Sequence, residues 1–198
     1  MPKIVDHEER QGEIVAAARR VILREGIEAA TTRAIAREAG YSNGVLTHYF
    51  AGKDEILLSA LRSSHRRIVE RLRGKLAGRT GLAALRELLL DNLPLDDERA
   101  RETALEVGFW GRSLTGGTLL EVQREEAAEL RRLVRSLLEA ASAAGEITTD
   151  EALDDVAERL LALVDGLSVH RLLYPGTVTA GVLRRVMEAE LDRLARAA

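Results

Sequence analysis

Four residues within a six-residue span, Asn43, Gly44, Thr47 and His48, fall on one side of a helix drawn through residues 43–50. The opposite side carries Val45, Leu46, Tyr49 and Phe50, spaced three and four apart as a buried stripe would be. Packing accounts for the apolar set and leaves the polar set unexplained. An amide, a hydroxyl and an imidazole grouped on an exposed helix face can hydrogen-bond base edges and phosphate oxygens. Tyr49 is mixed: its ring can pack inward while its hydroxyl reaches a phosphate. Lys53 opens a later helix and sets a positive charge and free amides where a phosphate could sit. The chemistry these types and spacings suit is recognition of double-stranded DNA.

Those groups need rigid elements behind them. Residues 32–39 read as a short helix with Ile35, Ala36 and Ala39 inward and Thr32, Arg33 and Arg37 outward. Thr31 precedes it and can accept from an unpaired amide of the first turn. Gly40 follows, where a left-handed residue ends a helix at low cost. Ser42 can then cap the next helix, of about two turns. Two short helices joined by such a turn form a helix-turn-helix, in which the first braces and the second enters the major groove.

The run TTRAIAREAGYSNGVLTHYFAGKDEIL extends this pattern. It resembles the DNA-binding domain of TetR-family transcriptional repressors, closely over roughly residues 10–60. The remainder is similar to the family mainly in length and helical layout. By resemblance to the T-T-R pattern, Arg33 is a DNA contact. The family often has Tyr where this chain has Thr47. The shorter hydroxyl cannot make the same reach, so base preference there should differ.

Composition agrees with an all-α fold. The chain has 198 residues, 46% hydrophobic and 31% charged, with three prolines and no cysteine. Without cysteine, disulfides and thiolate chemistry drop out. The net charge of −3 is uneven. Residues 1–78 hold 14 Lys and Arg against 10 Asp and Glu, or +4, and residues 79–198 hold 15 against 22, or −7. A basic head beside an acidic body fits a DNA reader whose body does other work. The first 13 residues lack the apolar core of a secretory signal, and no apolar run approaches the roughly 18 residues of a membrane helix. A cytoplasmic protein with no membrane contact is expected.

Periodicity and punctuation outline about nine helices. The first runs from about His7 to Glu25 with Ile14, Ala18, Val21 and Ile22 buried. Three helices form a head ending near Phe50, giving a DNA-binding domain at 1–52. A connector helix at 53–76 opens a domain at 53–198 for ligand binding and dimerisation. Leu57, Leu61, His65, Ile68, Leu72 and Leu76 line one side of the connector. Arg62, Arg66, Arg67, Arg71 and Arg73 make a basic run read as a solvated face. Glycines 74, 78 and 81 mark a break between domains. Further helices fall at about 81–93, 97–114, 117–144, 150–174 and 179–196, with Thr149 and Asp150 starting the eighth and Thr179 the ninth.

No catalytic set is present. The four histidines, His7, His48, His65 and His170, lie far apart in the chain, and no metal, phosphate-loop or paired-carboxylate pattern occurs. Neither a cofactor nor enzymatic activity is expected. The last two helices are apolar on more than one side, and Gly166 and Ser168 would admit a close neighbour. The family resemblance implies that they pair with their copies in a homodimer, through Leu163, Gly166, Leu167, Val182 and Val186. It also implies a small-molecule effector among the middle helices, of unknown identity. His65, Phe109, Trp110, Asp165, His170 and Tyr174 are the candidates to bind it. The expectation is a dimeric, ligand-released repressor on a palindromic operator. The alternative is a helical small-molecule-binding protein that has lost DNA binding, and the intact polar face speaks against it.

Overall fold

The computed structural model describes residues 3–196, and side chains from 7 to 195. Residues 1, 2, 197 and 198, the outermost positions of the two expected domains, lie outside the described residues, as do the side chains that open the expected signal-free segment. Nine α-helices and no strand occur among the described residues: α1 (Lys3–Glu25), α2 (Thr32–Ala39), α3 (Asn43–Tyr49), α4 (Lys53–Leu76), α5 (Gly81–Asp91), α6 (Asp97–Ser113), α7 (Thr118–Ala143), α8 (Leu153–Leu173) and α9 (Ala180–Arg196).

Two compact units emerge. The first comprises Met1–Arg67 and Ala104–Val122. Its core gathers Ile14, Ala18, Val21 and Ile22 of α1, Ile35 of α2 and Leu46 of α3. One long and two short helices expose too much surface to bury a core alone. Ile56, Leu57, Ala60 and Leu61 of α4 and Leu105 and Phe109 of α6 complete it. Compactness therefore divides the chain elsewhere than at residue 52, the boundary read from the sequence. Paired charges fasten the outer surface of this unit. Arg20 and Arg24 of α1 meet Glu38 of α2 at 2.7 and 3.0 Å, and hold its carboxyl below the ordinary carboxylate range.

The second unit comprises Ile68–Thr103 and Gln123–Ala198. Its core joins Leu85, Leu88 and Leu89 of α5, Val134 and Leu138 of α7, Val156, Leu160 and Val164 of α8, and Leu183, Met187 and Leu191 of α9. The glycine-rich turn after α4 lies inside this unit and is no boundary between the two. Helix α8 starts at Leu153, not at residue 150; the Thr149 hydroxyl accepts from the Glu151 amide within the preceding turn.

One charged group sits in the second unit's interior. The Asp91 side chain is fully buried and receives Arg71 Nε at 2.9 Å and Lys75 Nζ at 2.7 Å, with Arg99 Nη1 at 3.5 Å. Arg71 also grips Glu102 with both terminal nitrogens, at 2.8 Å each. Glu102 first, then Asp91, hold the guanidinium well above its ordinary range, against the opposing effect of burial. Arg71 thus departs from the solvated basic face expected of it. Its neighbours Arg62, Arg66 and Arg73 are exposed, as that reading has it.

Candidate nucleic-acid interface

The two helices of the motif are built by their ends. The Thr31 hydroxyl accepts from the Ala34 amide at 3.1 Å and caps α2. Gly40, at φ 76°, ends that helix with its own amide directed to the Ala36 and Arg37 carbonyls. Helix α3 follows after two residues and is short, seven residues from Asn43 to Tyr49. Ser42 occupies the N-cap position in extended backbone, but its side chain makes no capping bond, contrary to expectation. At the other end Phe50 is the C-cap, in extended backbone, so it lies beyond the helical stripe assigned to it while still buried.

Burial separates the faces of α3 cleanly. Leu46 is 1% exposed and Val45 and Tyr49 are half-buried, whereas Ser42, Asn43, Gly44, Thr47 and His48 are exposed. The Thr47 hydroxyl donates back to the Gly44 carbonyl at 2.9 Å. That bond uses the hydroxyl's proton and leaves its lone pairs free to accept. Arg33 is exposed on α2 with Thr32 half-buried beside it.

At the start of α4 the geometry is less open to a phosphate than the sequence suggests. Glu55 accepts from the Ala51 amide, and Asp54 and Glu55 put two negative charges into the first turn. Lys53 Nζ leans back to the Glu28 carbonyl at 3.3 Å, which uses one of its three donors. Arg112 at the end of α6 closes the same corner, 2.6 Å from Asp54 and 3.7 Å from Glu28. The sequence offered no signal for Arg112 beyond its charge.

The histidines are not all remote from one another. His7 of α1 and His48 of α3 come within 6.3 Å, ring centre to ring centre, and both contact Tyr49. Among the effector candidates, His65 Nε2 lies 3.0 Å from Glu106 Oε2, so its polar partner is α6. Phe109 is fully buried in the first unit's core, and Trp110 is half-buried next to it in sequence. Asp165, His170 and Tyr174 are exposed on and just after α8 in the second unit, with the His170 and Tyr174 rings 5.7 Å apart. Leu163, Leu167 and Val182 are half-buried, and Gly166 and Val186 exposed, on α8 and α9. No group of three or more His, Cys, Asp or Glu among the described residues could hold a metal ion.

Comparison with known proteins places both parts of the chain. Residues 14–60 match the family described as bacterial regulatory proteins, tetR family, and residues 81–196 match the BetI-type transcriptional repressor C-terminal family. The chain is 33% identical to the HTH-type transcriptional regulator PksA of Bacillus subtilis (strain 168), over 98% of this chain and 94% of that protein. It is 29% identical to the HTH-type transcriptional regulator BetI of Vibrio parahaemolyticus, over 98% and 96%. A solved transcriptional regulator from Rhodococcus sp. Rha1 superposes with a TM-score of 0.83 at 29% identity, covering 93% of this chain and 95% of that one. A regulator from Saccharomonospora viridis, solved in complex with choline, has the same fold, with a TM-score of 0.88 at 23% identity over 93% and 96%.

Proposed function

The chain belongs to the TetR family of bacterial transcriptional regulators, and we propose that it is a repressor that binds an inverted-repeat operator as a homodimer and leaves it when a small molecule binds. One observation carries the DNA-reading part: the outward face of α3, from Asn43 to His48, is polar and exposed while its inward face is anchored by buried Leu46. In this reading Asn43, Gly44 and Thr47 face base edges. Thr32, Arg33, Ser42, Tyr49 and Lys53 hold phosphates, and His48 donates to either. Residues 1–52, with Lys53 at the start of α4, would carry this work.

The homodimer is supported by the unburied side of α8 and α9. Val186 is 37% exposed, Leu173 62% and Tyr174 54%, and Leu163, Gly166, Leu167 and Val182 share that pair of helices. A contiguous apolar patch left at a surface marks a contact, and a two-fold pair is what an inverted repeat requires. The candidates for a small effector fall in two sets, His65, Phe109 and Trp110 in the first unit and Asp165, His170 and Tyr174 in the second, and either set would serve. Aromatic residues are 3% of the chain, which supplies few rings for the cage that a quaternary ammonium such as choline requires.

Release needs two states of unequal affinity for effector and DNA. Helix α4 supplies the physical link, since its residues up to Arg67 belong to the first unit and those from Ile68 to the second. A shift at one end of a continuous helix displaces the other. No helix among the described residues is long and apolar enough to cross a membrane; in this reading the protein would work on DNA in the cytoplasm. Selecting bound sequences from a random duplex pool tests the reading. An enriched inverted repeat with half-sites about one helical turn apart is expected; enrichment of an unpaired half-site, or of nothing, would contradict it.

A further inference from the structure

Two imidazoles and a phenol meet where α1 passes the end of α3. The His7 and Tyr49 rings lie 4.6 Å apart, centre to centre, tilted by 52°. His48 stands edge-on to both, 6.3 Å from His7 and 5.2 Å from Tyr49. One turn further along α1, Gln11 Nε2 donates to the Tyr49 carbonyl at 3.3 Å and fixes this part of α1 against the last residue of α3. Both histidines are exposed. A ring from α1 is thus held beside the outward face of the reading helix.

We propose that His7 is a further operator-contacting residue, and that His7 and His48 together make operator affinity rise as the pH falls through the imidazole range. The inference rests on the reading of α3 as the DNA-reading helix. Ring contacts hold an imidazole in place without using its nitrogens; the neutral ring keeps one N–H donor for a phosphate oxygen and the protonated ring has two. Several groups among the described residues stand near the pair. From α3 come His48 and Tyr49; from α1 come Gln11 and Arg10, whose guanidinium lies 5.9 Å over the Tyr41 ring. The neighbouring acids of α1 are Glu8, Glu9 and Glu13. Glu13 accepts from the Tyr41 hydroxyl, and none of the three pairs with an imidazole among the described residues. Duplex phosphates on the same face would favour the charged form of an imidazole beside them.

The sign follows from linkage. An imidazole in water titrates near pH 6.5, and a phosphate beside it favours the charged form. The added affinity is then full below the free protein's titration and is lost as pH rises through that of the complex. A shift of about one pH unit on binding gives roughly a sevenfold fall in affinity per imidazole between pH 6.0 and 8.5, and roughly 50-fold for both.

Fluorescence anisotropy with the selected operator, at fixed ionic strength from pH 6.0 to 8.5, tests this on the full chain. His7→Gln and His48→Gln should each remove about half of the logarithmic pH dependence, and the double variant should flatten it. At pH 6.0, His7→Gln should also lower the salt slope by up to about one unit, and this loss should shrink at pH 8.5. His7→Lys should keep the operator tight at pH 8.5. A His7→Gln protein with the parent's pH profile and salt slope would overturn the inference while leaving α3 as the reader. A chain that selects no sequence at any pH would overturn the reading of α3 itself.

Discussion

His65 Nε2 on α4 lies 3.0 Å from Glu106 Oε2 on α6, with the histidine side chain 10% exposed and the glutamate 24%. A polar residue on the buried side of a helix needs a partner, and this partner ties the connector to the middle of α6 within the first unit. Replacing His65 by Leu should leave operator affinity within about tenfold, ~1.4 kcal/mol, and weaken the response to whatever ligand releases DNA. Operator binding titrated with effector, for the parent, His65→Leu, Glu106→Gln and the double variant, checks it. The two single changes should be non-additive; equal effector midpoints in all four would reduce the pair to packing.

Thr47 and Lys53 should fail differently. Thr47 is exposed on α3 with its hydroxyl lone pairs free to accept, so Thr47→Ala should relax base preference at one position of each half-site, by about 1–3 kcal/mol. Lys53→Ala should weaken all sequences about equally and reduce the salt slope by roughly one. Competition binding against single-base operator variants separates the two outcomes. A Lys53→Ala protein with altered base preference and an unchanged salt slope would reverse the assignment.

Gly166 gives a clean probe of dimerisation. A Cβ there would meet nothing within 4 Å of the same chain, so Gly166→Leu should fold normally and act only on a neighbouring subunit. Leu167→Asp should place an unpaired charge in that contact. Sedimentation should show monomer or aggregate for both, with operator binding lost. A fully dimeric Leu167→Asp protein would move the interface elsewhere.

The buried cluster around Asp91 makes a stability prediction. Arg71→Met removes the bidentate grip on Glu102 and one of three cations around a carboxylate with no solvent exposure. Breaking a buried pair from one side costs about 3–5 kcal/mol. Denaturant unfolding should show a loss near the lower figure, because Lys75 and Arg99 stay with Asp91. Arg71→Lys should recover little, since an ammonium cannot make the paired contact.

Local signals were legible and distant pairings were not. The limits of α2 and α4 follow from Thr31, Gly40 and the break at Gly52, because caps and breakers act within a turn. The faces of α3 follow from a 3.6-residue period. Ser42 shows the limit of that logic: the cap position is right and the capping bond is absent. Asp91 sits on the same side of α5 as Leu88 and Ala84, which in sequence signals only that a buried charge needs cations, not that Arg71, Lys75 and Arg99 supply them. His7 was invisible as a neighbour of His48 because 41 residues separate them in the chain. The same holds for Glu106 and His65. Phe109 read equally as core or as ligand contact, and its burial with Ile14 and Ile22 is a matter of packing between helices.

Half-site spacing tests the central claim most directly. Two copies of α3 joined by a fixed dimer contact must meet the duplex on one side, in successive major grooves. Inserting about five base pairs, half a helical turn, between the half-sites of the selected operator should therefore cut affinity to that of nonspecific DNA. Inserting about ten should restore part of it where the heads can reach. The measurement is an equilibrium titration of the parent protein against the three duplexes at one salt concentration. Equal affinity for all three would contradict a dimeric reader with α3 in the groove.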